Sequence, residues 1–337
     1  MNCFQHGGLV LLVTASLFVA GYAGKCKDWT GLKEGDSCHQ HWGEAKYRVH
    51  PTQPTLGYAW AMSKFNDNFR DKTSAQKTLN KKPIPVCLGP GNGAWMVDHH
   101  HTLAALDYSG FSDVSVTFNV VCAFDSSLPV ATFWNYMVKQ KGVFNYARPE
   151  ADALDEEVRF DSLPCVLYFN RSSSSFQDDH WRALAGFAKK IRNDECTVKY
   201  CYRAFIKWCD SAGDAVPFFE FRWAYFFNDA YLEPAKLWDQ EIDYYNFSNI
   251  YYQLKGQKIL KSNDLQEDLV PWRMAAAALL PLARGQSAGS YIVPRPNILY
   301  GSLPGYVSGM GPIKHKDPNC NPPRCKIARR WARDFDV

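Results

Sequence analysis

The apolar positions change period several times along the chain, and each change marks a predicted element. Tyr58, Met62, Phe65 and Phe69 recur at helical spacing, which predicts a helix from Leu56 to Arg70 with Lys64 near its active face. Lys46 to His50 reads as an opening strand, and the polar stretch Asp71 to Lys82 as a loop. Pro85 to Leu88, a turn from Gly89 to Gly93, and Ala94 to Val97 read as a hairpin. The alternation of Val114, Val116, Phe118 and Val120 marks another strand. Beyond it the signal is helical: Leu128 to Lys141, His180 to Arg192, Val216 to Tyr231, Pro234 to Gln253 and Leu269 to Arg284. From Gly285 the chain is rich in Gly and Pro and ends in a basic run that includes Lys314, Lys316, Arg324, Lys326, Arg329, Arg330 and Arg333.

This order predicts an α+β protein. A small mixed sheet with helices occupies residues 43–125, and a helical extension over 126–285 packs on it, with no Gly-, Pro- or Ser-rich linker between the two. A Cys-containing lead-in, 24–42, precedes the sheet, and a basic tail, 286–337, wraps the surface. With 337 residues and 46% hydrophobic content, the chain buries a sizeable core and is not disordered. Residues Leu9 to Ala20 form an apolar run too short to span a bilayer, and Gly21 and Ala23 follow at the spacing a signal peptidase reads. Residues 1–23 are therefore expected to be a signal peptide, and the protein to be secreted or in the secretory pathway, without stable membrane insertion.

Cysteine usage agrees. Without Cys3 there remain Cys26, Cys38, Cys87, Cys122, Cys165, Cys196, Cys201, Cys209, Cys320 and Cys325, an even set that an oxidising compartment would pair. Cys26 with Cys38 and Cys320 with Cys325 make local loops, and the remaining pairing stays open. No Cys-x-x-Cys spacing supports a zinc-thiolate site. Asn170-Arg171-Ser172 and Asn246-Phe247-Ser248 are glycosylation sequons, consistent with a secreted glycoprotein. The net charge of +4 is mild and does not demand affinity for a long nucleic acid.

The densest chemistry lies where the hairpin's second strand feeds a helix: Asp98-His99-His100-His101-Thr102 followed by Leu103-Ala104-Ala105-Leu106. The first amides of a helix lack internal partners, so such a junction offers donors and a positive dipole end to a phosphate. Asp98 can fix an imidazole tautomer while a neighbouring imidazole acts as general acid or base. In an extended segment His99 and His101 would point one way and His100 the other. The plain structural alternative has one histidine capping the helix, one buried on a backbone partner and one solvated. In Asp178-Asp179-His180-Trp181-Arg182, either aspartate makes a helix N-cap, His180 and Arg182 remain site candidates, and Arg182 has a solvated first-turn alternative. In Phe218-Phe219-Glu220-Phe221-Arg222-Trp223 the aromatics read as core. Charged Glu220 and Arg222 within that run either pair structurally or face the site.

The box resembles that of the ParB-like putative nuclease family, relatives of the ParB and sulfiredoxin fold, in which an apolar strand runs into Asp-His-His-His and an alanine-rich helix. Val49-His50-Pro51-Thr52-Gln53 with Leu56-Gly57 and Lys64 looks like that family's opening segment. Phe133-Trp134-Asn135-Tyr136-Met137, the block from Asp178 to Gly186 and the block from Val216 to Ala224 look like its later ones, in the same order. The likeness covers roughly residues 45 to 230 and implies a ParB/sulfiredoxin-like small mixed sheet with helices plus a helical extension. It also brings in Gln53 and Lys64 as phosphate contacts. ParB-type proteins carry an arginine-rich box at this junction and sulfiredoxin a Gly-Cys-His-Arg box. Here His100 and His101 replace the arginines and the box has no cysteine, so triphosphate binding and sulfinic-acid repair are not expected.

The functional expectation is a secreted ParB-like hydrolase, a nuclease cleaving phosphodiester bonds. His100 would be the general acid or base and Asp98 its orienting group, with His99 and His101 binding phosphate or a divalent metal. Gln53, Lys64, Thr102, His180, Arg182, Glu220 and Arg222 are the expected phosphate-side residues, and a phosphate-containing nucleic acid or nucleotide the expected partner. A nucleotide-dependent phosphotransferase or phosphatase on a small molecule is the second expectation. A non-catalytic secreted phosphate-ligand-binding protein is the third.

Overall fold

The structure is a computed structural model, and it describes residues 24–26, 29–140, 142–147, 156–157, 159–160, 163–164, 167, 176–189, 202–203, 206–207, 218–238, 241–256, 269–294 and 299–303. The first half contains β1 (Gly24–Lys25), β2 (Ser37–His41), α1 (Trp42–Ala45), β3 (Val49–Pro51), β4 (Thr55–Leu56), α2 (Tyr58–Asn68), α3 (Lys72–Leu79), β5 (Ile84–Leu88), β6 (Ala94–Met96), α4 (His100–Ser109), β7 (Ser115–Ala123) and α5 (Val130–Lys139). The second half adds β8 (Tyr146–Ala147), β9 (Glu156–Glu157), β10 (Gln177–Asp178), α6 (His180–Ala188), β11 (Tyr202–Arg203), β12 (Ile206–Lys207) and α7 (Phe219–Leu232). It closes with α8 (Pro234–Leu237), α9 (Glu241–Gly256), α10 (Val270–Ala278), α11 (Leu280–Arg284), α12 (Gln286–Ser290), β13 (Ile292–Val293) and β14 (Gly301–Ser302).

A six-stranded mixed sheet in the order β1-β2-β7-β5-β6-β3 organises the first half. The expected hairpin forms, β5 antiparallel to β6, while β5 lies parallel to β7 and β3 parallel to β6. The sheet extends further than the pattern suggested. The lead-in supplies β2, antiparallel to β7, and β1, and a Cys26–Cys38 disulfide staples the two. A second disulfide, Cys87–Cys122, joins β5 to β7. Strand β6 alternates its faces: Ala94 and Met96 meet the apolar side of α4, and Trp95 packs in the aromatic cluster of α5 with Phe133 and Trp134.

Residues 71–82, expected to be a loop, hold α3. Asp71 caps it by accepting from the Ser74 amide at 2.8 Å, and only Ala75 and Leu79, four apart, are buried. Two apolar residues on a polar helix leave too little periodic signal to read. The two long helices expected in the carboxyl-terminal half are each broken. Trp238 adopts an extended backbone between α8 and α9, and Pro281 enters the first turn of α11 after α10.

The helical part reaches the sheet domain through α2. Ala59 and Trp60 belong to the same buried cluster as Trp181, Leu184, Trp223, Phe227 and Trp272 of α6, α7 and α10. The aromatic run of α7 is core, as expected. Two glycines allow α2 and α6 to close on each other. A Cβ on Gly57 would lie 2.6 Å from the Ala183 backbone nitrogen, and one on Gly186 would lie 2.7 Å from the Trp60 ring. The signal peptide over 1–23, Cys165, Cys196, Cys201, Cys209, Cys320, Cys325, the Asn170 sequon and the basic run from Lys314 lie outside the described residues.

Because the atom facing Gly57 is backbone, α6 must move to admit a methyl group. Gly57→Ala is expected to destabilise the fold by about 1–3 kcal/mol, the range for forced overpacking, read as a lowered urea midpoint at unchanged slope. An unchanged midpoint would mean that the two helices do not meet as tightly as described.

Candidate functional site

Every residue from Pro51 to Trp60 is buried, although 52–54 form a connection rather than a helix or strand. Buried backbone groups must find partners, and here they are drawn from several elements. The Thr52 amide donates to His100 Nε2 at 3.2 Å, and the Thr52 carbonyl accepts from Phe144 at 2.9 Å. The Pro54 carbonyl accepts from Gln177, and β4 pairs in parallel with β10. The Thr55 carbonyl accepts from Arg182 at 2.9 Å and from Gln53 at 3.0 Å, and the Leu56 carbonyl accepts from Asp179 at 3.0 Å. The Gly57 amide donates to His101 Nε2 at 3.2 Å and the Tyr58 amide to Asp178 at 2.9 Å.

The histidine box is therefore divided. Helix α4 begins at His100, so His100 and His101 occupy its first turn instead of alternating along a strand. Both are at most 5% exposed. Each accepts through Nε2, which puts the ring proton on Nδ1, and burial, seconded by Arg182, pushes the His100 pKa down to about 3 and holds that of His101 well below 6.5. His99 differs in backbone and exposure. It caps α4 from the left-handed region, φ 70°, uncommon for a non-glycine residue, and keeps 31% of its side chain exposed. Its carbonyl accepts from the amides of Thr102 and Leu103, so Thr102, 2% exposed, is occupied as part of the first turn.

Asp98, with 68% of its side chain exposed, accepts from the His99 amide at 2.5 Å, and its other oxygen lies 3.8 Å from His99 Nδ1. The carboxylate thus sits with His99, whereas sequence reasoning set it to orient His100. Surrounding protein would raise the Asp98 pKa, but His99, its amide and His100 outweigh that and lower it. Surrounding protein also lowers the His99 pKa; Asp98 opposes this, and Lys64, Lys82 and Lys189 reinforce it.

Behind the box lies a buried charge cluster. Arg182, 5% exposed, bonds Gln53 Oε1 at 3.1 Å as well as the Thr55 carbonyl, lies over the Phe221 ring at 3.8 Å, and stands 3.9 Å from Glu220. Glu220 pairs with Lys189 and lies 3.8 Å from His101. Burial would raise the Glu220 carboxyl, but Lys189, His101 and Arg182 hold it well below the usual carboxylate range. Lys64 and Lys189 both approach the Trp60 ring, at 5.3 and 5.8 Å.

The structure thus gathers Asp98, His99, His100, His101, Gln53, Lys64, Arg182 and Glu220. It leaves out His180, which pairs with Asp178 at 2.9 Å, and Arg222, whose guanidinium reaches the Ser302 carbonyl at 3.4 Å and whose pKa burial lowers. Asp179 is the cap of α6, and Arg182 is a buried anchor, not a solvated first-turn residue. Sequence reasoning missed Lys82 and Lys189. Lys189 falls seven residues after Arg182, two turns along one face of α6, a spacing that links them. Lys82 is placed by hairpin register, since the Val97 amide bonds the Pro85 carbonyl and sets the start of β5 beside the end of β6. Among the described residues no group of three His, Cys, Asp or Glu side chains is placed to hold a metal ion.

The site thus sets a histidine-bearing strand-to-helix junction at the edge of a mixed sheet, with the charge of Lys64, Lys82 and Lys189 reaching His99. The chain belongs to the family described as Putative ParB-like nuclease, whose model matches residues 46–229. Among solved structures, it is similar to protein Atu1540 from Agrobacterium tumefaciens, at 20% identity and a TM-score of 0.48, covering 81% of this chain and 98% of that one. No curated protein matches the sequence.

The depressed histidines give stability a predictable pH dependence. Folded His100 and His101 resist protons that the unfolded chain binds below its pKa near 6.5, so the contribution is present above that value and is lost on acidification. Stability should fall as pH drops from 6.5 towards about 3, with a limiting slope of about 1.4 kcal/mol per pH unit for each histidine. Urea unfolding at a series of pH values checks this, and His100→Gln should flatten the slope. A slope of zero between the two limits would contradict the assignment.

Proposed function

We propose that the protein is a secreted phosphodiester-cleaving enzyme in which His99 is the acid–base group. Family membership supports a nuclease-like kind of function. The observation that carries the finer reading is that one imidazole of the box stays accessible, beside an accessible carboxylate and close to three lysines, while the other two are committed to the backbone of residues 52 and 57.

Chemically the parts have separate tasks. Lys64, Lys82 and Lys189 supply positive potential for a phosphate, as lysine does when it acts as a point charge. A His99 ring with lowered pKa is neutral at neutral pH and can accept a proton from water or return one to a leaving oxygen. Asp98 favours the imidazolium that forms during that transfer. Gln53, Arg182, His100, His101 and Glu220 fix the wall behind the site and do not touch substrate in this scheme.

The secretory assignment is supported by the two disulfides, which persist in oxidising compartments. No helix among the described residues is long and apolar enough to cross a membrane. Asn246 of the second sequon is exposed on α9, open to a glycan.

Replacing His99 with alanine is expected to lower cleavage of DNA or RNA by roughly 100- to 10,000-fold, the usual loss for a general acid or base, with the urea midpoint little changed. His100→Ala should instead lower the midpoint, because it strands the Thr52 amide. Retained cleavage in the His99 variant would overturn the assignment. Turnover confined to mononucleotides or sugar phosphates would point to a small-molecule phosphatase.

A further inference from the structure

Helix α3 turns a wholly polar face to solvent. Ala75 and Leu79 bury its other side, and Lys72, Lys77, Asn80 and Lys81 are exposed. They border an open depression of about 620 Å³ together with Gln76 and Asp113. The Gln76 side-chain amide bonds both the nitrogen and the carbonyl of Ser115, at 2.8 and 2.9 Å, tying α3 to the first residue of β7. Three ammonium groups face one carboxylate, Asp113, which pairs with Lys72 at 2.8 Å and leaves Lys77 and Lys81 as the excess charge. That pair is exposed on both sides and holds Lys72 only weakly.

The depression lies at the same edge of the sheet as the histidine site. Lys81 adjoins Lys82, and Lys82 lies near enough to His99 to depress its titration. Strands β5 and β7 are parallel and begin at the end of the sheet where β6 finishes, so the carboxyl end of α3, the start of β7 and the Asp98–His99 corner share one edge. Lys77 and Lys81 line the depression, Lys82 follows Lys81 in the chain, and Lys82, Lys64 and Lys189 all act on His99.

We propose that the groove along α3 holds the phosphate backbone of a nucleic-acid strand whose reacting phosphodiester lies at His99. The eight residues of α3 span about 12 Å, the length of roughly three to four stacked nucleotides, so the substrate is a polymer and not a mononucleotide. The contacts are ammonium to phosphate and carry no base preference. This inference rests on the phosphodiesterase reading for the reacting end of the strand, but the groove stands or falls by a separate measurement.

The test uses a fluorescent single-stranded DNA of roughly 20 nucleotides, read by anisotropy across a salt series, and bis-p-nitrophenyl phosphate as a diester too small to reach α3. Lys77→Ala with Lys81→Ala should weaken oligonucleotide binding about tenfold and reduce the log–log salt slope by about 1.4, two contacts at about 0.7 each. Turnover of the small diester should be unchanged, and Lys77→Gln with Lys81→Gln should repeat the result if the alanine pair alters folding. Unchanged oligonucleotide binding overturns the groove, whatever His99→Ala does to cleavage. Binding that is lost in the lysine variants while no diester is ever cleaved keeps the groove and removes the phosphodiesterase reading. Equal affinity for polyglutamate would overturn the nucleic-acid assignment.

Discussion

The structure depends on keeping one connection dry. Residues 52–58 run through the interior between the sheet and the helices, and most of the polar backbone groups described there are answered from a distant element: from α4 by His100 and His101, from α6 and its cap by Arg182 and Asp179, and from β10 by Gln177 and Asp178. A buried donor or acceptor left without a partner costs about 1–3 kcal/mol, so these bonds fix how α4 and α6 sit against the connection. Arg182 carries two of these tasks at once, since it bonds the Thr55 carbonyl and Gln53 and stands 3.9 Å from Glu220, a carboxylate that Lys189 also neutralises.

Position within the box follows from that constraint. The two imidazoles that satisfy the connection are buried, each with Nε2 occupied by a backbone amide, and burial lowers the pKa of both. The left-handed turn at His99 breaks the run and leaves the first imidazole outside. Residues held in that region persist when the surroundings over-determine them, and such strain concentrates where function needs it. Phe218, which caps α7 just ahead of Glu220, shares the feature, so the helices carrying the box and its buried carboxylate both start from left-handed residues.

Much of this was legible in the residues. Hydrophobic period located the hairpin, the strand from Ser115 and the starts of α2, α5 and α6, and the four ordered blocks identified the family. That Glu220 would need a partner was readable too, because charge embedded in an apolar run is costly to bury alone, and the structure gives it Lys189. What escaped was division of labour. Nothing in Asp-His-His-His tells which imidazole is left in water, since that depends on where the helix begins and on a backbone 44 to 48 residues away. Helix α3 escaped because its apolar face is two residues wide, and Lys82 and Lys189 because register and helix phase, not sequence proximity, bring them to His99.

The division of the histidine box is tested most directly by nitrogen-15 NMR of the imidazole rings in uniformly labelled protein, titrated from about pH 8 to about pH 5. The account predicts that His100 and His101 stay neutral throughout, as tautomers protonated at Nδ1 with Nε2 shifted as a hydrogen-bond acceptor, and that the His99 ring exchanges with solvent. Protonation of His100 or His101 near pH 6.5, or the opposite tautomer in either, would contradict it.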